Sequence, residues 1–152
     1  MSQKLNLPIR PRRNRKNAAV RGLSRETVLT PQDLIYPLFI HEDESDDAIE
    51  SMPGCHRWSL AGLVKEVGEA YAAGVRAVVF FPKIEEDLKT SQGEECFNPD
   101  GLVPRAIQAV KEAFPDMVVI TDVALDPYNS DGHDGIVVEG DDGELKILND
   151  ET

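Results

Sequence analysis

The stretch "MVVITDVALDPYNSDGHDG", residues 117–135, decides how the rest of the chain is read. Its opening, "MVVITDV" (117–123), is a short continuous apolar run, the pattern of a strand buried on both faces of a parallel sheet. Four carboxylates follow within one loop: Asp122, Asp126, Asp131 and Asp134, with His133, Gly132 and Gly135 among them. Acidic side chains at the carboxyl end of a parallel strand occupy the place where α/β folds put their chemistry.

Working outward, the same alternation recurs. "LIYPLFI" (34–40) and "VRAVVFF" (75–81) are further continuous apolar runs, the second broken only by one arginine. Between them, "SLAGLVKEVGEAYAAG" (59–74) places Leu60, Leu63, Val64, Val67 and Tyr71 on one helical stripe, with Ser59 as N-cap and Gly74 as the stop. "LVPRAIQAVKEAF" (102–114) predicts a second amphipathic helix, with Val103, Ile107, Val110 and Phe114 on one face and Pro115 ending it. Residues 41–54 read as an acidic turn region, and 82–101 as a long polar loop. "GIVVEGDDGELKIL" (135–148) reads as a hairpin turning at its "DDG".

Strands alternating with helices imply parallel pairing and right-handed crossovers. Three strands are too few to close a barrel, and two helices cannot cover both sheet faces. "NDET" (149–152) is how a helix begins, so the expectation is a fold incomplete within this chain. The predicted division is an extended basic arm over 1–30 and three β/α units plus a hairpin over 31–152.

The 152 residues suit one domain, or one large part of a bigger one. The 41% hydrophobic content and mean hydropathy of −0.33 are those of ordinary globular sequence. No apolar run approaches the ~20 residues of a membrane span, so no membrane association is expected. The first ten residues lack a secretory h-region, and no Ser/Arg-rich transit segment precedes the basic arm; the expected location is the cytosol. Cys55 and Cys96 are 41 positions apart without CxxC partners and read as structural or incidental thiols.

The net charge of −12 conceals an asymmetry: residues 1–25 carry +8 and no carboxylate, leaving −20 on the remainder. A basic arm on an acidic body either grips nucleic acid or docks on an acidic partner. The body repels a phosphate backbone, and the arm has no interleaved aromatic for base stacking, so protein docking through Arg10, Arg12, Arg13 and Arg15 is expected and nucleic acid is not.

For the aspartate loop the residues alone leave three readings open: a cation site, a catalytic site or a solvated turn. Asp126 and Asp134, eight apart across a glycine-containing loop, could converge on one cation or ammonium group. An EF-hand is excluded, because counting from Asp126 puts Tyr128 at position three and Asp131 at position six, where a ligand oxygen and a glycine are needed.

The blocks "RPRRNRKNAAVRGL", "LIYPLFI", "SMPG", "DGLVPRAI" and "TDVALDPYNSDGHDGIV…ILNDET" together resemble the 5-aminolevulinate dehydratases, or porphobilinogen synthases, from about Arg10 to Thr152. The resemblance implies the N-terminal part of a TIM (β/α)8 barrel with an arm that wraps a neighbour, usually in a homo-octamer. It implies a hydro-lyase that condenses two 5-aminolevulinate molecules into porphobilinogen during tetrapyrrole synthesis. In zinc-dependent members three cysteines occupy the positions held here by Ala124, Asp126 and Asp134. A carboxylate pair without a thiolate is a poor zinc site, so the resemblance is to the zinc-independent, magnesium-responsive branch. Asp126 and Asp134 are then weak magnesium or substrate candidates, and the allosteric magnesium site falls outside this chain. Asp122 matches the family's active-site aspartate in a supporting role. His133 reads as a loop organiser, with no second His or Cys near it to share a metal. The two Schiff-base lysines and the carboxylate clamps belong to the family's downstream half. Lys65, Lys83, Lys89, Lys111 and Lys146 match no catalytic position, so the chain alone is expected to be inactive. The alternative is a non-catalytic protein binding a full-length synthase or another acidic partner through its arm.

Overall fold

The computed structural model describes residues 8, 9 and 11–152, and these fall in two compact units, Met1–Thr30 and Pro31–Thr152. Arg10 of the basic arm lies outside the described residues.

The described part of the first unit is helical in two short stretches rather than extended. A 3-10 turn covers Pro11–Arg15, and α1 covers Ala18–Leu23. The cause is local: Asn17 adopts an extended backbone and its Oδ1 accepts from the Val20 amide at 2.9 Å, an N-cap that starts a helix at "AAV". Arg12, Arg15, Arg21 and Arg25 border one shallow cleft, and the Arg21 guanidinium donates to the Arg15 carbonyl at 3.2 Å.

In the second unit, β1 (Ile35–Ile40), β4 (Ala77–Pro82) and β5 (Val118–Thr121) lie side by side and parallel. Their register is tight, with Leu38 opposite Phe80 and Phe80 opposite Thr121. The helices α2 (Leu60–Ala72) and α3 (Leu102–Ala113) cover one face. On that face Leu38, Ile40, Val78 and Phe80 meet Leu63, Val67, Leu102, Ala106, Val110 and Met117 in a closed core. The opposite face, with Phe39, Val79, Phe81 and Ile120, is only half-buried.

The predicted signals explain the elements. Ser59 Oγ accepts from the Gly62 amide at 3.0 Å and starts α2; Gly74, at φ 100°, ends it in a conformation that other residues avoid. The Asp46 carboxylate steadies that start, accepting from the Ser59 amide at 3.0 Å and from its hydroxyl at 2.8 Å. The arginine inside "VRAVVFF" is not a strand residue. Arg76 precedes β4, donates to the Tyr71 and Val75 carbonyls and stacks 4.0 Å above the Tyr71 ring. The buried line of α3 is Leu102, Ala106 and Val110, one position round from the expected stripe; Val103, Ile107 and Phe114 flank it half-buried.

The acidic turn region holds structure the sequence did not announce. β2 (Asp47–Ala48) pairs antiparallel with β3 (His56–Trp58), and β3 runs parallel to the end of β1. Among the described residues the sheet order is therefore β2-β3-β1-β4-β5. The hairpin is present as β6 (Val137–Glu139) and β7 (Leu145–Ile147), turning through Gly143 at φ 77°.

Candidate functional site

Parallel strands in register bring their carboxyl ends to one edge, and the loops after β4 and β5 leave the sheet together there. The Lys83 amide donates to the Ile40 carbonyl at 2.8 Å, tying the exit of β4 to the end of β1. Asp122 is the first residue after β5, exposed, one position beyond Thr121, the last residue in register with β4. Two clefts meet at it. One, of about 420 Å³, runs between the Asp122–Leu125 segment and the first turn of α3, with Glu95, Cys96 and Tyr128 on its walls. The other, of about 250 Å³, opens over Phe39, Phe81 and Pro82 and is bordered by Asp126 and Tyr128. Thr121, Asp122, Ala124, Val103 and Tyr128 belong to both.

The predicted pair Asp126 and Asp134 does come together, but through the main chain. Asp134 Oδ1 accepts from the Leu125 amide at 2.9 Å and from the Asp126 amide at 3.1 Å. Those two bonds hold its carboxyl below the usual carboxylate range, with a smaller contribution from the nearby His133. Asp134 is thus a loop hook, while Asp126 borders the sheet-side cleft. Asp131 and His133 are exposed. Among the described residues no three His, Cys, Asp or Glu side chains gather closely enough to hold a metal ion. Asp134 Oδ1 is taken up by the two amides, and Ala124 offers no donor side chain.

Two residues of the loop escaped the sequence reading. Tyr128 lines both clefts; burial pushes its phenol up from 10.0, with Cys96 and Glu95 adding to the effect, so it remains a neutral donor. Asn129 is 3% exposed and holds the loop to its neighbour, as developed below. An aromatic and an amide flanked by Pro127 and Ser130 carried no periodic signal that could single them out.

Among the described residues no lysine lines either of the two clefts at Asp122. Lys83, Lys89 and Lys146 pair with Glu85, Glu86 and Asp142 at 3.2, 2.6 and 2.9 Å. Lys111 donates to the Pro115 and Met117 carbonyls, closing the end of α3, and Lys65 is exposed on α2. Cys55 and Cys96 are both free thiols.

Parallel strands backed by helices, with a carboxylate at a strand's carboxyl tip between two clefts, define the class of α/β proteins that bind small molecules at that edge. More narrowly, the profile of the family described as "Delta-aminolevulinic acid dehydratase" matches residues 8–152, and the chain belongs to that family. It is 60% identical over 149 residues to the chloroplastic delta-aminolevulinic acid dehydratase of Selaginella martensii, covering 97% of this chain and 35% of that one. Identity to the chloroplastic enzyme 1 of Arabidopsis thaliana is 54% over 149 residues, covering 97% and 34%. The crystal structure of the Toxoplasma gondii ME49 dehydratase (porphobilinogen synthase), in complex with the reaction product porphobilinogen, superposes with a TM-score of 0.84 at 54% identity. That match covers 94% of this chain and 40% of the other. The chain therefore spans about a third of the length of the curated relatives it matches, and its fold is the N-terminal part of a TIM barrel.

The comparisons correct the expected cytosolic location: the relatives from Selaginella, Arabidopsis and Physcomitrium patens are all named chloroplastic. That expectation was read from the first residues of a chain that spans only about a third of the length of these relatives.

Proposed function

We propose that this chain supplies the arm and the first three β/α units of a plastid porphobilinogen synthase, which joins two 5-aminolevulinate molecules into porphobilinogen. The observation that carries the reading is Asp122, a family-matched carboxylate held at the tip of β5 where two clefts meet. At that point its carboxylate accepts a charge-assisted hydrogen bond from a substrate ammonium or from the amine of a catalytic lysine supplied by downstream sequence. Asp126 faces the sheet-side cleft and tunes the same cationic group. Tyr128, kept neutral by burial, donates a hydrogen bond to a carbonyl or carboxylate. The magnesium response is assigned to sequence outside this chain, as the resemblance to the family implies. The basic arm docks on the acidic body of a second copy, building toward an octamer. The reading of a stand-alone binder finds no favour in relatives that are dehydratases throughout.

The test is a chimera in which residues 1–152 are continued by the downstream part of the Selaginella relative. With 5-aminolevulinate and Mg²⁺ it should form pyrrole product. The 152-residue chain alone should form none and should give no borohydride-trapped adduct on any lysine. A completed chimera that folds, assembles and makes no porphobilinogen overturns the reading; so does turnover by the chain alone.

A further inference from the structure

The loop after β5 and the loop after β4 border the same cleft, yet they lie far apart in sequence. One buried side chain joins them. Asn129 Nδ2 donates to the Ser91 carbonyl at 2.9 Å, 38 positions away, and to the Gly135 carbonyl at 3.1 Å. Its Oδ1 accepts from the Asp131 amide at 2.7 Å. Both donors and the acceptor of the amide are thus in use, at 3% exposure. Main-chain bonds reinforce the junction: Thr90 N to Tyr128 O at 3.2 Å, and Ser130 N to Thr90 O at 2.9 Å. The bond to Gly135 seats the residue next to Asp134, whose carboxylate in turn fixes the Leu125 and Asp126 amides.

We propose that Asn129 is the positioning residue of this site: it clasps the β4 and β5 loops into one body and, through Gly135 and Asp134, fixes the turn that follows Asp122. It touches no reacting atom. Its effect reaches the chemistry through the spacing of the cleft walls, Glu95 and Cys96 on one side and Val123 to Leu125 on the other. The kinetic part of the claim rests on the function proposed above; the clasp itself does not.

Hydrogen exchange on the full chain and kinetics of the completed chimera test it together. In Asn129→Ala the Asp131 amide loses its acceptor directly. The clasp requires that Thr90, Ser130, Leu125 and Asp126 also exchange faster, by about tenfold to a hundredfold, while β1 and β4 amides keep their rates. Asn129→Asp retains the acceptor but turns a carboxylate toward two carbonyls. It should leave Asp131 protected and still loosen Thr90 and Ser130, and it serves as the second variant if the alanine substitution disturbs folding. In the chimera both variants should lower kcat by roughly tenfold or more with KM within about twofold, the split expected of misplacement rather than lost binding. Unchanged exchange at Thr90 and Leu125 in both variants refutes the clasp, and a raised KM with intact kcat refutes positioning. If the unaltered chimera is inactive, the functional reading has failed and exchange alone decides the clasp.

Discussion

Gly62→Ala reverses sign with its background, and the reversal is calculable. By helix propensity alone, alanine for glycine inside α2 stabilises by about 1 kcal/mol. At Gly62, however, a Cβ would lie 1.9 Å from Asp46 Oδ1 and 2.5 Å from its Cγ, which no side chain tolerates. Asp46 must swing away and forfeit its bonds to the Ser59 amide and hydroxyl. Those are charge-assisted but near the surface, so roughly 1–1.5 kcal/mol each is lost. The net is about 1–2 kcal/mol of destabilisation, on the order of a 0.5–1 M fall in urea midpoint for a slope near 2 kcal/mol/M. With Asp46→Ala already present there is nothing to displace, and Gly62→Ala should then stabilise by about 1 kcal/mol. Urea unfolding of the four members of the cycle, followed by circular dichroism, is the measurement. A stabilising Gly62→Ala in the original background, or additive effects across the cycle, would refute the argument.

In the completed chimera Asp122→Asn should keep fold and assembly but cut turnover about a hundredfold or more, Asp126→Asn and Asp134→Asn should cost less, and Asp131→Asn least; steady-state rates on folded variants give the ranking. Zinc chelators should leave that activity largely intact while depletion of Mg²⁺ lowers it, and a stoichiometric zinc whose removal abolishes turnover would show the loop misread. Tyr36 is pushed up to about 12, chiefly by burial and then by its 2.6 Å hydrogen bond to Glu66. Its raised value means that the stability it contributes is fully present below pH 10 and is lost as pH rises toward 12; ultraviolet titration should show the late phenol, and Glu66→Gln should bring it earlier. Deleting residues 1–25 from the chimera should give smaller oligomers by light scattering, because several arm pairs worth ~0–1 kcal/mol each act together.

The sheet and its helices were legible because their signals are local. Continuous apolar runs, Ser59 before α2 and Gly74 after it each act within a few residues. The short strands β2 and β3 were not, since their few residues become strand only when β3 meets β1 and β2 meets β3; the His41 amide bonding to the Trp58 carbonyl at 3.2 Å is a tertiary fact. Periodicity located the apolar arc of α3 but not its centre. The buried line runs through Leu102, Ala106 and Val110, and Ala106 is fully buried on it. At the site, strand and carboxylate placed Asp122. Spacing could not separate a carboxylate that receives a cation from one that receives peptide amides, because both present the same deprotonated oxygens; here Asp134 turns Oδ1 to the Leu125 and Asp126 amides.

That hook constrains how such a loop changes over generations. The Leu125 and Asp126 amides depend on one oxygen of residue 134 for their order. A cysteine arriving there alone would withdraw that oxygen before positions 124 and 126 offered any companion thiolate. The intermediate would have neither hook nor cluster, and selection would see a loosened loop. Exchange between an amide-tied and a thiolate-tied version of this loop is therefore strongly epistatic: the three positions must change nearly together, or a compensating clasp must come first.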